Sequence, residues 1–263
     1  AGAIAQFLLE PNSHGRLFGL GQLDNPVVAA LVFSAVIVLV LQMIIVEPDR
    51  RWRIVGWVSL LVVATAVYLT GSRNSWISIA CAVGILLLAH RIEDRQRFIA
   101  GVVALLVIVV AGVLALMANE ASREVLLPRG DSFRLDIWAY AFETTWTEAK
   151  WFGFGILTPD QIPVGERVFS HPHNMYLAVF FQGGLIGLAL FGLLMLHTLH
   201  TLLLDYHQPS AKLALGLLAL ALVSYLLDGH ELVDKVGETW FLFWLSVGLA
   251  LGIQWSRFAD APD

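Results

Sequence analysis

Seven stretches of the sequence, residues 27–46, 54–72, 74–89, 98–119, 174–204, 213–227 and 239–256, contain no Asp, Glu, Lys or Arg. Together they hold 141 of the 263 residues, so all 37 formal charges fall in the remaining 122. A soluble domain mixes charge into every element, because each helix or strand shows one face to water. Here the charge is segregated into blocks, which excludes an ordinary soluble enzyme, a disordered protein and a nucleic-acid binder. Apolar runs of about 17–25 residues are what a helix needs to cross a hydrocarbon core of about 30 Å. Val27–Leu41 and Val102–Leu116 are apolar on every face, whereas the strands of a membrane barrel alternate. The expected fold class is all-α: a polytopic transmembrane helix bundle of about seven spans forming a single transmembrane domain, with a long, partly helical outer loop over 120–173.

Basic residues orient the bundle. Loops 47–53, 90–97, 205–212 and 257–263 carry eight Lys and Arg in 30 residues, against eight in the other 92. Short loops rich in Lys and Arg stay in the cytoplasm, so Arg50, Arg51, Arg53, Arg91, Arg95 and Arg97 mark the inner face. The opposite face receives the segment up to Pro26, the tight turn at Arg73, the loop 120–173 and the loop from Asp228 to Glu238. Ala1–Leu9 is apolar but too short to cross a bilayer, and it reads as the end of an earlier span, with these 263 residues the C-terminal part of a longer protein. Cys81, inside an apolar run, is expected to be inert packing.

The outer loop is too long for a mere connection, and its eight aromatic residues from Phe133 to Phe154 argue against disorder. Phe133, Ile137, Tyr140 and Ala141 recur at helical spacing, with Trp138 beside them and Asp131 or Ser132 ahead as an N-cap. An amphipathic helix over 132–149, near the membrane interface, is therefore expected. Gly153 and Gly155 end it, and Pro159, Pro163 and Pro172 should keep the remainder irregular. Segment 174–204 is longer than the hydrocarbon, and Gly183 and Gly184 offer a place to bend it. Segment 213–227 is short, so Lys212 must snorkel or the helix must be sheltered by its neighbours.

Two places carry candidate chemistry. Arg73 stands in Thr70-Gly71-Ser72-Arg73-Asn74-Ser75-Trp76 with an apolar span on each side. A guanidinium costs about 2.5 kcal/mol or more at mid-membrane, so the residue needs a reason, either a contact with lipid phosphates or an anion site. The second place is Ser170-His171-Pro172-His173-Asn174-Met175-Tyr176. Two histidines alone make a weak metal site, and no carboxylate accompanies them at metal-site spacing. An imidazole, with an ordinary pKa of about 6.5, suits a general base near neutrality. Blander readings come first elsewhere: interfacial water for His197 and His200, and for Asp228, His230, Glu231 and Lys235 a solvated loop ahead of a part in positioning a substrate. Trp138, Trp146 and Trp151 are either interfacial anchors or platforms for sugar rings.

His173-Asn174, nine residues, then Gly184-Leu-Ile-Gly187 resembles the signature of the bacterial O-antigen ligase and polymerase superfamily. Gly71-Ser72-Arg73 with Trp76 resembles its Ser-Arg motif ahead of a helix, and Ser132-Phe133-Arg134 with Trp138 and Gly153-Phe-Gly155 resembles its third pattern. Leu188-Ala189 stands where the signature often continues with Thr-His. The resemblance implies a glycosyltransferase of the GT-C type, independent of metal and of any cofactor, inverting, in the bacterial inner membrane with its active site facing the periplasm. The implied donor is a glycan on undecaprenyl diphosphate. The implied acceptor is a hydroxyl of the lipid A core, as for an O-antigen ligase, with membrane lipids around and no nucleic acid. By motif, His173 would be the base, Arg73 and Arg134 would hold the diphosphate, and Asn174 and Tyr176 would orient the base or line the acceptor entry. The alternatives are an O-antigen polymerase, a protein O-oligosaccharyltransferase or, from another class, a flippase for lipid-linked glycans.

Overall fold

The computed structural model describes residues 1–9, 15–117, 133–156, 161–229, 232 and 240–259. In chain order it contains α1 (Gly2–Leu9), α2 (Pro26–Val46), α3 (Arg50–Thr70), α4 (Arg73–Arg91), α5 (Arg95–Met117), α6 (Arg134–Glu148), β1 (Ile162–Val164), β2 (Arg167–Phe169), α7 (Met175–Leu204), α8 (Pro209–Leu227) and α9 (Trp240–Ala259). Among the described residues, each charge-free stretch lies largely on a helix. Among the described residues five helices, α2, α3, α4, α7 and α8, are long and apolar enough to cross a membrane. The chain is an all-α, multi-pass membrane protein.

It divides into two compact units, Ala1–His90 with Met195–Leu227 and Val233–Asp263, and Arg91–Leu194 with Asp228–Leu232. In the first unit, Asn25 caps α2 by accepting from the N–H of Val27 at 2.8 Å, with Pro26 in the first turn, where its missing N–H costs nothing. Asp49 caps α3 in the same way. Gly56 of α3 lies so close to α2 that a Cβ there would meet the side chain of Ile44 at 2.6 Å, a small residue admitting close helix approach. Helix α8 starts at Pro209, which gives it 19 residues, and more than half of its apolar window is buried. Lys212 is therefore sheltered: it is buried, with its Nζ 5.4 Å from the Tyr206 ring.

The second unit is organised by a break in α7. Gly184 adopts φ 61° and ψ −158°, a region essentially closed to other residues. The break removes the helical bonds from Leu185 to Phe181 and from Ile186 to Gln182. Segment 150–155 replaces both sides of each: Phe154 and Gly155 donate to the carbonyls of Phe181 and Gln182 at 2.8 and 2.9 Å, and Leu185 and Ile186 donate to those of Lys150 and Trp151 at 2.9 and 3.2 Å. The contact is backbone on backbone, so a Cβ at Gly153 would lie 2.4 Å from the carbonyl carbon of Gln182, and one at Gly184 2.4 Å from that of Trp151. The bend expected at Gly183 and Gly184 is thus a complete interruption filled by another segment.

Helix α6 starts at Arg134 rather than 132. Phe133 ahead of it has φ 64° and makes no side-chain cap, while Asp131 and Ser132 lie outside the described residues, as does Pro159. Its buried face is Ile137, Ala141 and Thr145, spaced by four, and Ile137 and Ala141 form a core with Ile162 and Phe181, against which Trp138, Tyr140, Phe154 and Phe169 pack. The stretch expected to be irregular contains an antiparallel hairpin pairing Ile162 with Phe169, Pro163 with Val168 and Val164 with Arg167. Gly165 opens its two-residue turn at φ 60°, the positive value a primed turn needs at that position. The pair flanking such a turn exchanges hydrogen bonds and the next pair does not. Pro163 occupies that next pair, so its missing N–H removes no ladder bond.

Candidate active site

His173 lies just ahead of α7 with φ 50°, a left-handed conformation uncommon for a residue with a Cβ. Its neighbours fix it there. Trp138 Nε1 donates to the carbonyl of Pro172 at 2.9 Å. Asn174 Oδ1 accepts from the N–H groups of Tyr176 and Leu177 at 3.0 and 3.1 Å, so it is the N-cap of α7 and holds the following turn against the loop. The backbone N–H of His173 donates to His171 Nδ1 at 3.3 Å, and the two imidazole rings lie 3.8 Å apart, inclined by 61°.

The imidazole of His173 has a partner that sequence spacing did not point to. Its Nδ1 is 3.1 Å from Oδ1 of Asp228, with about a third of the histidine side chain and a quarter of the aspartate side chain exposed. The same Oδ1 accepts from the N–H of Gly229 at 3.0 Å. Burial on its own pushes the Asp228 carboxyl up. The hydrogen bond and charge of His173, the Gly229 N–H and the positive charge of Arg134 outweigh it and hold the group below the ordinary carboxylate range. An ionised carboxylate can only accept, so the proton of this bond sits on Nδ1, and in the neutral imidazole the lone pair is then on Nε2. In the sequence Asp228 is an acid that follows a charge-free span on the same side as His173, which fits a solvated loop as readily as a part in the site. His230, Glu231 and Lys235 lie outside the described residues.

Arg134 opens α6 in this unit, within electrostatic reach of Asp228. Phe133 beside it packs on Phe169 at 6.1 Å between ring centres and carries the guanidinium of Arg167 at 5.2 Å. Tyr176, half-buried, meets Phe191 edge-on at 5.8 Å. Trp138 is spoken for by the core and by Pro172, whereas Trp146 and Trp151 are exposed, with Lys150 Nζ 4.0 and 5.6 Å from their ring centres. His171, His173 and Asp228 present ligand atoms all within 4.8 Å of one another, so the fold supplies the carboxylate that sequence spacing lacked.

Arg73 belongs to the first unit, where it opens α4. Gly71 ends α3 at φ 63°, and the turn is held by buried hydroxyls: Thr70 Oγ1 donates to Val67 O at 2.6 Å, Ser72 N to Thr70 Oγ1 at 3.3 Å and Ser75 Oγ to Ser72 Oγ at 3.0 Å. Asn74 Nδ2 donates to Ser224 O in α8 at 3.2 Å. Arg16 is a further cation here that sequence reasoning passed over: its Nε donates to Thr70 O at 2.6 Å, on the carbonyl end of α3, where a positive charge is favourable. His197, also in this unit, bonds Gln254 at 3.2 Å.

A sequence profile describing O-antigen ligase matches residues 58–192, just over half of the chain. The matched stretch contains Arg73, Arg134, His173, Asn174 and Tyr176, and ends short of Asp228. The chain belongs to the O-antigen ligase family. It is also similar to an O-antigen ligase of Pseudomonas aeruginosa, 32% identical over 247 residues, which is 93% of this chain and 59% of that protein. The chain thus spans less than two thirds of the curated ligase it matches.

Proposed function

We propose that this O-antigen ligase family member transfers a glycan from undecaprenyl diphosphate to a hydroxyl of the lipid A core at the periplasmic face of the inner membrane. The observation that carries the reading is the bond between His173 Nδ1 and the ionised Asp228, because it sets the tautomer of the neutral imidazole in which Nε2 carries the lone pair. Nε2 takes the proton of the acceptor hydroxyl as its oxygen attacks the anomeric carbon. The bond from that carbon to the diphosphate breaks in the same displacement, the electron pair leaves with the phosphate oxygen, and the anomeric configuration inverts. Asp228 holds the ring in the productive tautomer and stabilises the imidazolium that forms.

The leaving group gains negative charge, and in a metal-independent reaction that charge falls to guanidinium groups, which bind phosphate oxygens in pairs. Arg134 is supported in this role by its position near Asp228, and Arg73 by its motif. Asn174 acts through the backbone as the cap that fixes the His173 turn, and Tyr176 lines the acceptor side. The test is transfer by the full-length protein from a purified lipid-linked glycan to lipid A core. His173→Ala is expected to lose about 10²- to 10⁴-fold in rate while keeping its melting midpoint; undiminished transfer would falsify the base role. Lipid-linked chains of many repeats left behind in a deletion strain support the ligase, and single repeats support a polymerase instead.

A further inference from the structure

His171 has no part in the reaction above, yet its ring lies edge-on against the base and it is placed with Asp228. We propose that His171, His173 and Asp228 bind a divalent transition-metal ion, zinc in the first instance, and that occupancy switches the base off. The binding half stands on geometry alone; the inhibitory half rests on His173 acting as the base.

His171 and His173 are separated by one proline, and with the left-handed backbone at His173 their rings meet at 3.8 Å. Asp228 completes the set from the residue after α8, its Oδ1 3.1 Å from His173 Nδ1. A tetrahedral zinc ion with bonds of about 2.0–2.1 Å holds neighbouring ligand atoms about 3.4 Å apart. The nitrogen and oxygen already stand at nearly that spacing, and the whole set fits within 4.8 Å, so rotation of side chains closes the site. Two imidazoles and one carboxylate suit zinc, copper or nickel; calcium and magnesium ask for oxygen alone. The partial exposure of His173 and Asp228 gives the ion a way in and leaves a fourth position for water.

Binding and catalysis use opposite nitrogens of one ring. When the metal takes Nδ1, the proton that Nδ1 carried moves to Nε2, and the lone pair that accepts the acceptor's proton is gone. No net proton is released from the ring, and Asp228 exchanges a hydrogen bond for a coordinate bond.

The experiment uses the full-length protein in detergent, stripped with EDTA and titrated with zinc chloride against a chromophoric chelator. One zinc per chain is expected, bound about ten-fold or more weakly in His171→Ala and in Asp228→Asn, and not displaced by millimolar magnesium. Absence of a saturable single equivalent, or wild-type affinity in His171→Ala, overturns the site. Cobalt(II) added to the unmutated protein checks the ligands without a variant: intense visible bands of a tetrahedral ion support the site, and the weak spectrum of a hexahydrated ion overturns it. Transfer is then measured with and without zinc within each protein. A loss in the wild type, reversed by EDTA and at least ten-fold smaller in His171→Ala, supports the switch. Zinc bound at these ligands with transfer unchanged overturns the switch and the base assignment while leaving the site standing. Failure of zinc to bind, alongside an inactive His173→Ala, leaves the base standing and removes the site.

Discussion

The Arg73 turn and the His173 loop both present a charged or titratable side chain at the start of a helix, but they are held in different ways. Around Arg73 the turn itself is closed by local bonds, Thr70 to Val67, Ser72 to Thr70 and Ser75 to Ser72 each spanning two or three residues, and Arg16 and Ser224 reach it from 54 and 150 residues away. The His173 loop depends on distant partners, Trp138 reaching Pro172 from 34 residues away and Asp228 reaching His173 from 55. A turn closed by bonds within its own sequence forms with less help from distant partners. A loop wired over long range is only as well placed as the packing of every element that brings its partners in.

Four substitutions break or sharpen that contrast. Gly184→Ala should do the most damage: a Cβ meets the backbone of Trp151 at 2.4 Å and the positive φ disfavours it further, together about 3 kcal/mol or more. Thermal unfolding in detergent should show a large drop with the His173 loop disordered, and an unchanged midpoint would mean that segment 150–155 does not hold the break. Asp228→Asn keeps the shape but no longer fixes the tautomer, so kcat should fall about 100-fold or more with donor KM nearly constant; a change confined to KM would make Asp228 a binding residue. Arg73→Lys leaves the local turn folded and removes a two-pronged phosphate contact, for which kcat/KM on the lipid-linked donor should fall about ten-fold. An identical value in the two proteins would separate Arg73 from the donor. Trp138→Phe leaves the Pro172 carbonyl without its donor, worth about 1 kcal/mol, and should lower kcat a few-fold. If it instead leaves kcat untouched, the long-range wiring matters less than Asp228 alone.

The same contrast explains what the sequence disclosed. The helices were legible because lipid and buried helix packing tolerate so little charge that its absence marks them directly. The break in α7 was legible as a glycine pair, but not its filling, since nothing in Lys150–Gly155 says which carbonyls its amides will meet. The hairpin at 162–169 was hidden by Pro163, which reads as a strand breaker until the register places it in the pair without hydrogen bonds. The motif residues Arg73, Arg134 and His173 carry their signal in short neighbourhoods. Asp228 does not: an acid after a span looks the same whether water or an imidazole faces it, and its burial and partner come only from the fold.

The interrupted helix also bears on how the protein is made. Within lipid, an unbonded amide or carbonyl costs several kcal/mol, so α7 is not a span that can enter a bilayer on its own merits. The groups that complete it belong to residues 150–155, which leave the ribosome before the helix does. Docking of segment 150–155 and integration of this helix are therefore one event, and a chain in which that segment is slow to dock offers the insertion machinery a helix with an open seam.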